Sequence, residues 1–276
     1  MDDAILRQTA AKRDELIAVH NEIRAKEPFV SQAKRLERLT LGLAFALRAI
    51  WVMSRRASIY HDFLTFRFFD DTIQSAIAIW SLGKEGQISP AKREMRYLLE
   101  SCAKHVYVDL MRMGMPIREK LIFLQNEVPC SSVSFICNFR LCQFSDSENK
   151  LFMDTIQSTY TSLCRYVHRS PQQIEEALQL LQRGVLPGFE TAQEVASLCR
   201  QLSQLYDLVL VMHFNALGVD LAGDVFTTAL GSWKTWPFHK TKFVKLLSSY
   251  FDYNHERQAR SNSLSSQNET AKERGN

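Results

Sequence analysis

Thr191-Ala192-Gln193-Glu194-Val195-Ala196-Ser197-Leu198-Cys199-Arg200-Gln201-Leu202-Ser203-Gln204-Leu205-Tyr206-Asp207-Leu208-Val209 decides the fold class. It opens with a threonine followed three residues later by a glutamate, the pairing whose side chains satisfy orphaned backbone donors at a helix start. Val195, Leu198, Leu202, Leu205 and Val209 then recur in steps of three and four, which lays one apolar face along a helix. The pattern predicts a long helix that ends or kinks at Gly218.

The same grammar extends in both directions. Ser170-Pro171, with Gln173 three residues past the serine, starts one helix directly after another that ends near His168. Ser145 with Glu148 forms a second capping box. Ser89-Pro90 marks a further start, because serine caps free N–H groups and proline loses no needed donor in a first turn. That helix runs to about Met113. Phe66, Ile73, Ile77 and Trp80 mark a helix in Phe63–Leu82, and Leu36, Leu39, Leu43, Leu47 and Ile50 mark another that follows from Ser31. Asp2–Lys26 reads as a first amphipathic helix, with Leu16, Val19 and Ile23 at helical spacing, ended by Pro28. The least helical stretch is Pro129–Phe144. There Val133, Phe135, Cys137 and Phe139 alternate with polar residues, as a short strand or an ordered loop would. Shorter helices are expected through Phe226–Phe251, with an interruption near Pro237.

The fold class expected is all-α: a multi-helix bundle with a long N-terminal helical pair at 1–58, a bundle over 59–253 and a disordered tail at 254–276. That tail is rich in Ser, Asn, Gln, Glu and Arg and has too few apolar residues to offset the entropy of ordering.

Composition agrees. The 276 residues are 46% hydrophobic, enough for a sizeable core, and the 10 Gly and 7 Pro exclude a collagen-like chain. Lys and Arg exceed Asp and Glu by 34 to 30, too small an excess to demand a nucleic-acid partner by charge alone. The start is charged and lacks the apolar core of a signal peptide, and the apolar stretch Leu39–Met53 is short for a span and carries Arg48. A cytoplasmic location without a membrane span is therefore expected. The six cysteines, Cys102, Cys130, Cys137, Cys142, Cys164 and Cys199, contain no C-x-x-C knuckle, so they read as free thiols, and no metal or cofactor is expected. There is no Gly-rich phosphate loop, no G-x-S-x-G elbow and no H-E-x-x-H pair.

Two segments carry candidate chemistry. In Ala91-Lys92-Arg93-Glu94-Met95-Arg96-Tyr97-Leu98-Leu99-Glu100 and onward, a helix places Arg93, Arg96, Tyr97, Glu100 and Lys104 on one face. Arg96 and Glu100 are four apart and can pair, either as a structural ion pair or as part of an arginine cluster that holds phosphate. In Arg165-Tyr166-Val167-His168-Arg169-Ser170-Pro171, His168 stands three residues after Arg165 at a helix end. It can cap the last carbonyls or move a proton near neutral pH.

These segments, with Tyr107-Val108-Asp109, resemble bacterial helical proteins related to the HEPN superfamily, over about thirty residues; Phe63–Leu181 is compatible with the core. The resemblance implies a helical bundle that binds RNA or cleaves it without metal, in a bacterial stress or phage-defence module. It implies catalytic roles for His168 and Arg165, with Arg93 and Arg96 on phosphate. In active members four to six residues separate the arginine from the histidine. Here only two separate Arg165 from His168, and that wider spacing falls instead at Arg56 and His61, Arg55 and His61, and Arg13 and His20. The alternative is a non-enzymatic helical adaptor or self-associating scaffold, working with another copy of the chain or a cognate protein.

Overall fold

A computed structural model describes residues 3–130, 132–135, 140–141, 143–168, 170–185, 188–231 and 233–251. Every regular element among them is helical: α1 (Asp3–Ala25), α2 (Glu27–Ser54), α3 (Leu64–Arg67), α4 (Phe69–Lys84), α5 (Ile88–Met111), α6 (Ile117–Glu127), α7 (Asp146–Cys164), α8 (Pro171–Gln182), α9 (Ala192–Leu217), α10 (Val219–Val225) and α11 (Lys242–Ser249), with a 3-10 helix at Ser58–Asp62 and a π-helix at Phe226–Leu230. The protein is all-α, as its periodicity predicts. Val133 lies in irregular chain and Phe135 in a short helical turn, not in a strand, while Cys137 and Phe139 fall outside the described residues, as does the expected tail at 254–276. No helix among the described residues is long and apolar enough to cross a membrane. Cys102, Cys130, Cys164 and Cys199 are free thiols.

Three helix starts differ from expectation, the first because the single helix expected over Phe63–Leu82 is broken at Phe68 into α3 and α4. Pro28 does not terminate α1; it sits in the first turn of α2, which begins at Glu27. A first-turn proline forfeits no hydrogen bond, so the residue that reads as a stop serves as a start. Likewise α5 begins at Ile88, one residue before Ser89, and the Ala91 N–H donates to the Gln87 carbonyl at 3.1 Å. Ile88 is buried, and bringing it into the helix puts its side chain against the core. The capping boxes form as read: Ser145 N donates to Glu148 at 2.8 Å, Thr191 N to Glu194 at 2.9 Å, and Gln173 N to Ser170 Oγ at 3.2 Å.

The chain divides into two compact units, each drawn from three stretches: residues 1–41, 70–100 and 158–205 in the first, and 42–69, 101–157 and 206–276 in the second. The first unit buries Leu36, Ile79, Met95, Leu98, Leu163, Leu198 and Leu202. At Gly83 of α4 an added Cβ would lie 2.6 Å from a Leu36 methyl and 2.8 Å from one of Leu198, so the missing side chain lets these leucines close over the helix.

The second unit buries Leu43, Leu47, Phe63, Val106, Phe152, Phe214, Phe238 and Phe243. Two carboxylates organise it. Asp109 accepts from the backbone of Leu64 (2.9 Å) and Thr65 (2.8 Å), from the Thr65 hydroxyl (2.7 Å) and from Lys120 Nζ (3.0 Å). Both side chains of the Lys120–Asp109 pair are wholly buried, and the Lys120 ammonium lies 4.1 Å from the centre of the Phe63 ring. Such a pair survives burial because every polar atom finds a partner. Asp207 plays the same part at the start of α11, where it accepts from Thr241 Oγ1 and from the N–H groups of Phe243 and Val244 at 2.7–2.9 Å. Those donors would otherwise be orphaned.

Candidate functional site

Arg93, Arg96, Glu100, Arg165 and His168 all fall in the first unit. Its α5 and the last turn of α7 lie side by side. Arg96 Nε donates to Cys164 Sγ at 3.3 Å, and its Nη2 donates to Tyr160 OH at 2.8 Å and pairs with Glu100 at 3.1 Å. Tyr160 OH in turn donates to Glu100 at 3.2 Å, which closes the ring of contacts. Burial, with Glu100 adding to it, pushes the Tyr160 phenol up to about 12, so it stays a neutral donor. Arg96 is thus enclosed by its own neighbours.

Arg93 is exposed and faces elsewhere. It lines an open concavity with Arg24, Glu85 and Phe189. Arg93 and Arg96 therefore do not share a working face. The split is at one residue: Lys92, Arg96 and Glu100, spaced by four, turn inward, whereas Arg93 and Tyr97 turn to solvent. Arg165 and His168 lie in the turns after α7. Both are exposed, and neither side chain makes a hydrogen bond among the described residues. The structure brings Arg96 and Glu100 together and leaves Arg93, Arg165 and His168 exposed, outside that ring of contacts.

The group that does converge was not singled out. Lys92 Nζ donates to Tyr166 OH at 2.6 Å, and Tyr166 OH donates to Glu176 of α8 at 2.7 Å. The Lys92 ammonium also lies 4.2 Å from the centre of the Tyr166 ring, a cation–π distance. These groups line a cavity of about 170 Å³ with Gln173 and Leu180 of α8, Ile88 and Ser89 of α5, and Glu190, Glu194 and Ser197 at and after the start of α9. Burial pulls the Lys92 amine below its ordinary value, against the opposing pull of Glu176 and Glu190. Burial raises the Tyr166 phenol and the Glu190 carboxyl. Glu190 is itself buried and accepts from the Gly188 N–H at 2.9 Å. Gly86, at φ +72°, permits the loop before α5 to press on this wall, since a Cβ there would stand 3.1 Å from the Glu190 carbonyl.

α8 has two faces. Gln173, Glu176, Ala177 and Leu180, spaced by three and four, wall the cavity together with Gln179 and with Arg183 just past the helix end. Ile174, Leu178 and Leu181 point away from it and are exposed. No residue of α8 is fully buried. It is fastened by its Ser170 cap, by Tyr166–Glu176 and by an Arg183–Glu194 ion pair at 3.2 Å.

No group of three or more His, Cys, Asp or Glu among the described residues could hold a metal ion. Compared with known proteins, the chain matches no family model, no curated protein and no solved structure.

Proposed function

We propose that this protein is a non-enzymatic helical adaptor that self-associates through the outer face of α8. One observation carries the reading: Ile174, Leu178 and Leu181 form an exposed apolar stripe on a helix that buries no residue of its own. These three side chains find no cover among the described residues, and an apolar stripe of that kind suits a second copy of the chain. The enclosure of Arg96 speaks for binding over cleavage, because its guanidinium is already committed to Glu100, Tyr160 and Cys164. Light scattering across a concentration series tests the proposal. The full chain should rise above monomer mass, and Leu178→Glu should stay at monomer mass with unchanged helicity. A wild-type chain that remains monomeric throughout would remove it.

RNA contact is the second reading, favoured by the exposure of Arg93, Arg165 and His168. If the HEPN-like kinship extends to cleavage, His168 is the proton carrier and Arg165 the phosphate partner. Labelled single-stranded RNA incubated with the protein and EDTA separates the two readings. Cleavage lost in His168→Ala would establish the nuclease, and salt-sensitive binding without cleavage would establish a binding-only member.

A further inference from the structure

The cavity behind α8 holds polar capacity that the protein does not use. Lys92 spends one of its three donors on Tyr166. Gln173 Oε1 is buried and has no hydrogen-bond partner. Leaving a buried acceptor unmade is costly, and such an atom in a cavity wall marks a place where a donor belongs. Lys92, with unused donors, and Gln173, whose unpartnered oxygen lies just beneath the surface, thus wall one small space, beside the apolar side chains of Ile88 and Leu180.

Charge narrows what can enter. The wall carries Lys92 and Arg183 against Glu176, Glu190 and Glu194. Arg183 is taken up by Glu194, and Tyr166 stands between Lys92 and Glu176. A simple anion would meet Lys92 but also three carboxylates. A simple amine would meet the carboxylates but also the Lys92 ammonium. A molecule bearing both charges a few bonds apart satisfies both sides.

We propose that this cavity binds a small zwitterion of the α-amino-acid class. The ligand carboxylate accepts from Lys92, the Gln173 amide turns its oxygen toward the cavity to accept from the ligand ammonium under the pull of the surplus carboxylate, and a short side chain rests on Ile88 and Leu180. Arrival of a carboxylate beside Lys92 favours the charged amine, so binding at alkaline pH takes up protons. The inference rests on the inner face of α8 and stands whether or not the outer face docks another copy.

Calorimetry on the full chain tests it with alanine, acetate and ethylamine as probes, repeated in buffers of different ionisation enthalpy. Alanine should bind at least roughly tenfold more tightly than either one-charge probe, with proton uptake at alkaline pH. Lys92→Met and Gln173→Leu should each weaken alanine by a similar factor. Because Gln173 Oε1 makes no hydrogen bond within the protein, Gln173→Leu strands no partner and decides the matter alone should Lys92→Met unfold. Equal binding of acetate and alanine would overturn the zwitterion assignment in favour of an anion site. Binding of ethylamine alone would overturn it in favour of an amine site. No binding by any probe, or alanine binding unaffected by Gln173→Leu, would overturn it outright.

Discussion

Arg96 spends its guanidinium on three partners that approach from two helices, and what it leaves behind when removed is a carboxylate. Glu100 is buried, and Arg96→Ala takes away its ion-pair partner while leaving the Tyr160 hydroxyl in place. That variant should lose about 2 kcal/mol of stability, toward the lower side of the usual cost of stranding a buried charge because solvent reaches part of the pair. Arg96→Met with Glu100→Leu should recover much of the loss, since neither charge is then stranded. Urea midpoints of the three proteins check both statements; a single variant as stable as wild type would show that the ring of contacts carries no stability. The i,i+4 spacing of Arg96 and Glu100 is legible in the sequence. Cys164 and Tyr160 as their partners are not, because these lie sixty or more residues away and nothing local encodes which helices meet. The same gap hid the Lys92–Tyr166–Glu176 chain. Lys92 differs from Arg93 by a single position, and 100° of helical rotation separates a cavity wall from open solvent.

At the scale of elements, periodicity and caps were readable almost everywhere, and errors fell at helix starts. Pro28 and Ser89 both carry signals that are ambiguous by one turn, because proline is a breaker inside a helix and a starter at its front. Close approaches between elements were invisible. In the second unit, Trp236 Nε1 donates to the Gly42 carbonyl at 2.9 Å, and a Cβ on Gly42 would stand 2.5 Å from Pro237 Cγ. The proline ring cannot swing aside as a leucine tip can. Gly42→Ala should therefore destabilise by about 1–3 kcal/mol despite alanine's better helix propensity. A fall in thermal midpoint checks this, and an increase would mean that the 236–238 segment moves freely. Gly83→Ala meets only the methyl tips of Leu36 and Leu198, so its loss should be the smaller of the two.

The whole molecule carries a pH dependence from buried imidazoles. His213 is buried in the second unit, and desolvation pulls it down to about 4 from an ordinary 6.5. A depressed histidine is neutral in the folded protein, so its contribution is complete above pH 6.5 and is lost as pH falls toward the folded value. The loss from His213 amounts to about 3 kcal/mol by linkage. His20 of the first unit is lowered for the same leading reason, its burial, and acts with the same sign. Denaturant midpoints measured between pH 7 and 4.5 should fall with acidity, and His213→Leu should flatten that fall; an unchanged slope in the variant would remove His213 as its source. Unit membership was the least legible property of all, since α2, α5, α7 and α9 each contribute residues to both units and no change of composition marks the crossings. This interleaving has a genetic consequence. Neither unit corresponds to a continuous run of codons, so recombination cannot duplicate, exchange or discard one while keeping the other, and the pair must be inherited as a single block.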